Sequence, residues 1–236
     1  MPKQNNQPAE KALHVTDGIL EVFDIFYTIQ GEGPFAGFPA MFVRLAGCNL
    51  QCPLCDTDYT SKRERMTPSE ILAHIEAKSE GYANGIVEPL VVITGGEPFR
   101  QNLGPFMELL LASGYAVQLE TNGTLYQPIP EDVVIVCSPK TGSINLHLAP
   151  RIDALKYVLA ADAVDPLDGL PVNALEHPSM PQLARPPKDF EGIIFVQPLD
   201  SYDEEANKRN LMAAIKSAKQ HGYVLCLQQH KIIGVE

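Results

Sequence analysis

Three of the chain's five cysteines fall within eight residues, as Cys48-x-x-x-Cys52-x-x-Cys55. Thiolates this close on one loop can reach one metal centre. A structural zinc site wants four ligands, usually as two separated pairs. His74, Cys137 or Cys226 would supply a fourth, but none stands at a recognised second-pair spacing. Electron-transfer iron–sulfur clusters are normally held by four cysteines. A [4Fe–4S] cluster held by three leaves one iron free to bind something else. Three readings stand side by side here: a reactive iron–sulfur site, a zinc site, and three unrelated core cysteines. Cys137 and Cys226 lie in apolar runs and read as buried structural residues.

Four more polar clusters each follow an apolar run: Thr94-Gly95-Gly96-Glu97-Pro98, Glu120-Thr121-Asn122-Gly123, Ser138-Pro139-Lys140 and Gln197-Pro198-Leu199-Asp200. Any one of them reads as a turn. Four together, each with a charged or amide side chain, read as a site, because parallel sheets bind ligands at the carboxyl ends of their strands.

The elements that would carry these clusters follow from the pattern. Strands are expected at 19–29, 40–45, 90–94, 115–119, 133–137, 154–159, 192–197 and 223–227. Thr67-Pro68-Ser69-Glu70 is a capping box with proline at the first helical position. Phe106, Leu109 and Leu110 mark a second helix that Gly114 can end. Ser201 and Glu204 open a third, ended by Gly222. Strands alternating with helices imply a parallel sheet. The strands are too few for a complete eight-stranded barrel. The expected fold is therefore α/β: a partial (β/α) barrel of about six parallel strands. Residues 1–17 read as a flexible arm, 18–236 as one domain, and 162–190 as a loop-rich insertion.

Composition bounds the function. With 18 Lys+Arg against 29 Asp+Glu the net charge is −11, which argues against a broad nucleic-acid surface. No apolar run approaches the ~20 residues of a membrane span. The polar first ten residues are no secretory signal. An odd cysteine count does not describe a disulfide-stapled secreted domain. These features point to the cytoplasm, with no nucleic-acid or membrane partner.

The cysteine spacing, together with Gly95-Gly96-Glu97-Pro98, resembles the radical S-adenosylmethionine (SAM) superfamily. Within it, several segments in order resemble the 7-carboxy-7-deazaguanine synthase family. They are Tyr27-Thr28-Ile29-Gln30-Gly31-Glu32-Gly33, Ala46-Gly47-Cys48-Asn49-Leu50, Cys55-Asp56-Thr57, the three later strand-end clusters and the tail Gln229-His230-Lys231. The resemblance implies a partial or full (β/α) barrel. It implies a [4Fe–4S] cluster on Cys48, Cys52 and Cys55, with SAM on the open iron, and Mg2+ on Thr57. The implied reaction is ring contraction of 6-carboxy-5,6,7,8-tetrahydropterin to 7-carboxy-7-deazaguanine with loss of ammonia.

It also assigns roles. Ile29, Gln30, Gly31, Arg44 and Thr94 match substrate contacts, and Glu236 is a candidate through the terminal carboxylate. Leu54, Asp56, Gly96, Glu97, Ser138, Pro139, Lys140, Gln197, Pro198, Leu199 and Asp200 match cofactor contacts. Glu32, Glu120 and His230 are the expected catalytic groups. Leu54 stands where the family usually has an aromatic residue beside the adenine of SAM. A homodimer and an electron donor such as flavodoxin are implied partners. The rivals are a glycyl-radical activating enzyme, which shares the cysteine spacing, and a non-catalytic zinc-binding module.

Overall fold

Strand β1 (Leu20–Ile29) pairs antiparallel with β2 (Pro39–Leu45) on one side and with the short β3 (Glu64–Met66) on the other. These positions come from a computed structural model that describes residues 5–13, 18–79, 89–174 and 182–235. Helix α1 (Pro68–Ser79) begins as its sequence demands. Glu70 N–H donates to Thr67 Oγ1 at 3.3 Å, and Thr67 N–H donates back to the Glu70 carboxylate at 2.7 Å. Then come β4 (Leu90–Gly95), α2 (Gly104–Ala112), β5 (Ala116–Thr121), β6 (Val134–Cys137), β7 (Ala154–Leu159) and β8 (Ile193–Pro198). The chain closes with α3 (Glu204–His221), β9 (Val224–Leu225) and α4 (Gln229–Ile233). Asp203, not Ser201, caps α3, accepting from Ala206 N–H at 2.8 Å, and Gly222 ends it in the left-handed region at φ 77.

The sheet runs β3-β1-β2-β4-β5-β6-β7-β8-β9 and is parallel from β2 onward. It is open, as expected. The parallel run has seven strands rather than about six, because β2 joins the six that follow it. Among the described residues the expected alternation with helices breaks down after β5. The connection to β6 holds no helix, and those to β7 and β8 hold short 3₁₀ turns, not α-helices. The segment 162–190 is the last of these connections. Its described residues pack back on the fold: Tyr157 Oη donates to Ala184 O at 2.9 Å, Ser217 Oγ to Gly169 O at 2.6 Å and Tyr223 Oη to Asp168 O at 2.8 Å.

Strand period decides what faces where. Val43, Ile93, Leu119, Leu155, Tyr157 and Val196 are buried in the main core, with Ile71, Ile75, Phe106, Met107 and Leu110 of the helices. Their neighbours Arg44, Thr94, Glu120, Lys156 and Gln197 point to the other face. A single residue's shift in register would reverse the two sets, so burying the apolar set, at about 1.5–3 kcal/mol per large side chain, also fixes the polar one.

Residues 5–13, read from the sequence as part of a flexible arm, lie along the cysteine loop. Asn5 N–H donates to Pro53 O at 2.9 Å, Glu10 N–H to Cys48 O at 2.7 Å and Leu13 N–H to Arg100 O at 2.7 Å. No helix among the described residues is long and apolar enough to cross a membrane.

Candidate active site

A cavity of about 910 Å³ opens at the carboxyl ends of the parallel strands. The cysteine loop supplies Cys48, Cys52, Leu54, Cys55, Asp56 and Thr57 to its wall. The end of β1 adds Ile29, Gln30 and Glu32; β2, β4 and β5 add Arg44, Thr94, Gly96 and Glu120. Ser138 and Lys140 come from beyond β6, Gln197, Pro198, Leu199 and Asp200 from the end of β8, and His230 from α4. Twenty expected site residues thus share one cavity. Three do not line it: Gly31, Glu97 and Pro139. Glu236 lies outside the described residues. None of the described residues of 162–190 lines it either.

Glu97 is the clearest difference. It is fully buried and its carboxylate accepts from Phe99 N–H at 3.0 Å, Thr121 Oγ1 at 2.8 Å and Asn122 N–H at 2.7 Å. Burial pushes its carboxyl up to about 7 against these hydrogen bonds. It is a pillar that ties the end of β4 to the end of β5. Gly31 also works through its backbone. Its carbonyl accepts from Gln229 N–H at 3.1 Å, and a Cβ there would come within 2.1 Å of His230 Nδ1.

The glycine pair before Glu97 has a steric cause. A Cβ on Gly96 would lie 2.0 Å from Gly47 O and 2.9 Å from Cys48 Cβ. The β4 end and the cysteine loop are zipped there, with Glu97 N–H donating to Gly47 O at 3.0 Å. Gly96→Ala is therefore expected to cost about 1–3 kcal/mol through overpacking and to displace the loop. A lower unfolding midpoint together with a lower metal content per chain would show it; a variant matching the parent in both would refute the steric account.

All five thiols are free. Burial raises Cys48, Cys52 and Cys55, Cys48 to about 12, so each becomes a thiolate only against a strong positive centre. Lys140, itself lowered by burial, is a nearby cation that opposes the shift at Cys52 and Cys55. Three thiols on one wall form a soft donor set that fits an iron–sulfur cluster. Among the described residues no group of three or more His, Cys, Asp and Glu could hold a metal ion.

Sequence reasoning missed Lys156. It is buried mid-strand in β7, its ammonium paired with a Glu32 oxygen and 3.9 Å from the Glu120 carboxylate. Burial raises the Glu32 carboxyl, but the Lys156 charge and hydrogen bonds outweigh it and hold Glu32 down to about 2. The other Glu32 oxygen accepts from Gln228 Nε2 at 2.8 Å and Gln197 Nε2 at 3.3 Å. Glu120 accepts from Gln30 Nε2 at 3.2 Å, Gln118 Nε2 at 3.1 Å and Thr94 Oγ1 at 3.3 Å. A lysine inside an otherwise apolar strand was the available signal. Burial lowers His230, leaving a neutral imidazole at pH 7.

Arg44 stands over the Phe26 ring at 5.1 Å, and its buried Nε has no hydrogen-bond partner. An orphaned guanidinium donor in a cavity is a place for an anionic ligand group. Lys231 links Asp200 at 2.9 Å to Asp56 at 3.8 Å, so the tail ties the β8 edge to the cysteine loop. Asn122 Nδ2 donates to Asn49 Oδ1 at 2.9 Å, and Asn49 Nδ2 to Thr124 Oγ1 at 2.8 Å, a second tie that the sequence did not announce.

No protein-family model matches the chain. It is 46% identical to the 7-carboxy-7-deazaguanine synthase of Rhodospirillum rubrum over 224 residues, covering 92% of each chain. It is 40% identical to the protein of the same name from Rickettsia prowazekii, covering 92% of this chain and 89% of that one. Its fold superposes on the crystal structure of QueE from Escherichia coli with a TM-score of 0.65 at 23% identity, over 89% of this chain and 93% of that one.

Proposed function

The chain belongs to the 7-carboxy-7-deazaguanine synthase family, and from that premise we propose that it contracts the ring of 6-carboxy-5,6,7,8-tetrahydropterin with loss of ammonia, as a radical SAM enzyme assisted by Mg2+. The observation that carries this reading is one cavity holding two different donor sets. One is the soft trio of thiols. The other is a guanidinium, two carboxylates and an imidazole suited to a polar, anionic heterocycle. Cys48, Cys52 and Cys55 would hold the cluster, and Ser138, Lys140 and the β8 end would hold SAM. When bound, the two together supply a 5′-deoxyadenosyl radical that takes a hydrogen atom from the substrate.

The chain's own groups do the rest. Arg44 would take the substrate carboxylate with its unpartnered donor. Thr57 offers one hard oxygen to Mg2+, with the other ligands coming from substrate and water. Glu32, held ionised by Lys156, has no proton to give at neutral pH and serves as an acceptor. Loss of ammonia requires the leaving nitrogen to gain a proton and a ring carbon to lose one, and His230, neutral, and Glu120 are the groups able to take the proton from carbon. Apolar walls from Phe26, Phe42 and Val158 keep water from the radical.

Anaerobic incubation with SAM, a reductant, Mg2+ and 6-carboxytetrahydropterin is expected to yield the deazaguanine product. An iron-loaded protein that forms no product would overturn the proposal. Arg44→Lys is expected to raise the KM for the pterin about 10–100-fold with a smaller change in kcat, since an ammonium cannot hold a carboxylate through two donors. An unchanged KM would remove Arg44 from substrate binding.

A further inference from the structure

We propose that Gln7 is a positioning residue for the cysteine loop, and that residues 5–13 act as a strap that holds this loop in its ligand-presenting shape. The strap meets the loop beside each of the three cysteines. Glu10 N–H donates to Cys48 O at 2.7 Å, and Asn5 Nδ2 donates to Cys52 O at 3.0 Å. Gln7 Nε2 donates to Thr57 O at 2.9 Å, the same carbonyl that lies 3.7 Å from Cys55 Sγ.

Gln7 does most of the linking. Its Oε1 accepts from Tyr59 N–H at 2.7 Å and from Thr60 Oγ1 at 3.0 Å, so one side-chain amide pins both sides of the loop's return. Asn5 Oδ1 pre-sets that amide by accepting from Gln7 N–H at 3.0 Å and Gln7 Nε2 at 3.1 Å. The far end of the strap is anchored in the core. The Glu10 carboxylate pairs with Arg63 and with the buried Arg100, both at 2.5 Å, and Arg100 also pairs with Glu21 at 3.0 Å. Asn5 and Gln7 themselves line the cavity. The strap is part of the site, placed by contacts with the loop's backbone and not by any motif.

The inference rests on the cysteine loop being the cluster-binding loop, so the test is made on cluster-free protein first. Amide hydrogen exchange is compared among the parent, Gln7→Ala and Gln7→Glu. Loss of these hydrogen bonds is expected to speed exchange across residues 48–60 about tenfold in Gln7→Ala, with β8 and α3 unchanged. Gln7→Glu keeps the acceptor for Tyr59 and Thr60 and loses the donor to Thr57, so it falls between. After anaerobic reconstitution, the visible absorbance of Gln7→Ala is expected to bleach several-fold faster in air. Loop exchange equal to the parent's, or acceleration spread evenly over the chain, would overturn the proposal. A parent that takes up no iron would refute the proposed function while the exchange comparison still decides the strap.

Discussion

Alanine at Cys48, Cys52 or Cys55 is expected to abolish SAM cleavage and deazaguanine formation together, lowering turnover at least about a thousandfold, or about 4 kcal/mol in barrier terms. Each of the three thiols lines the cavity, and no other cysteine does. Neither of the remaining two can substitute. Cys137 is fully buried in the core, and Cys226 is buried where its sulfur accepts from Gly33 N–H at 3.3 Å. Cys137→Ala and Cys226→Ala therefore serve as controls. They leave small cavities, at a cost set by how far the core relaxes, but keep iron and activity. Iron and sulfide per chain, with methionine released from SAM, give the readout. Normal SAM cleavage in any of the three loop variants would remove that cysteine from the cluster. Loss of iron in the Cys137 control would show that core packing, not ligation, governs metal content.

The fold was legible where one physical cause dominated. The capping box at Thr67 and Glu70, the β-branched run of β4 and the glycine that ends α3 each act locally, and each stands where expected. The missed elements depend on distant partners. β3 has three residues and exists because β1 offers it an edge. α4 is one turn of helix held by Gly31 O and by the packing of His230 against Gly31. The arm read as loose because it is polar and aperiodic. Its described residues 5–13 meet backbone carbonyls of the cysteine loop and Arg100, contacts that no periodicity encodes.

The site was legible in its ligands and less so in its supports. Cysteine spacing and strand-end clusters announce themselves because most of their residues line one cavity. Glu97 was read as part of the binding wall since it shares a motif with Gly96. The structure turns it away, to hold two strand ends through backbone N–H groups and a threonine hydroxyl. Lys156 was passed over because the polar clusters were sought after the strands and not within them. In fact β7 has a core face and a cavity face, and alternate residues of it belong to the site.

That alternation makes Lys156 the most exposed point of the design. Lys156→Met is expected to destabilise the protein by about 3–5 kcal/mol, because it leaves the Glu32 carboxylate buried without its cation. Removing the charge as well, in Lys156→Met with Glu32→Gln, is expected to recover most of that loss, since Glu120 retains three donors of its own. The sign with pH follows from the shifts. Glu32 is depressed from 4.5 to about 2, so its contribution is present above about pH 4.5 and fades as pH falls through about 2. Lys156 is raised above 10.5, so its share holds through neutral pH and is lost only in strong base. In the single variant burial is no longer opposed by Lys156 and raises Glu32 instead, so the stability difference should be largest at neutral pH and above and shrink as pH falls and Glu32 takes up its proton. Activity should part from stability. The double variant regains its fold but has no charged pair in the cavity, and its turnover is expected to stay at least about tenfold below the parent's. Chemical denaturation of all three proteins as a function of pH, with kcat and KM alongside, measures both effects. A single variant as stable as the parent would mean that water or rearranged glutamines satisfy Glu32. A double variant with full turnover would mean that the pair holds the fold and does nothing for the reaction.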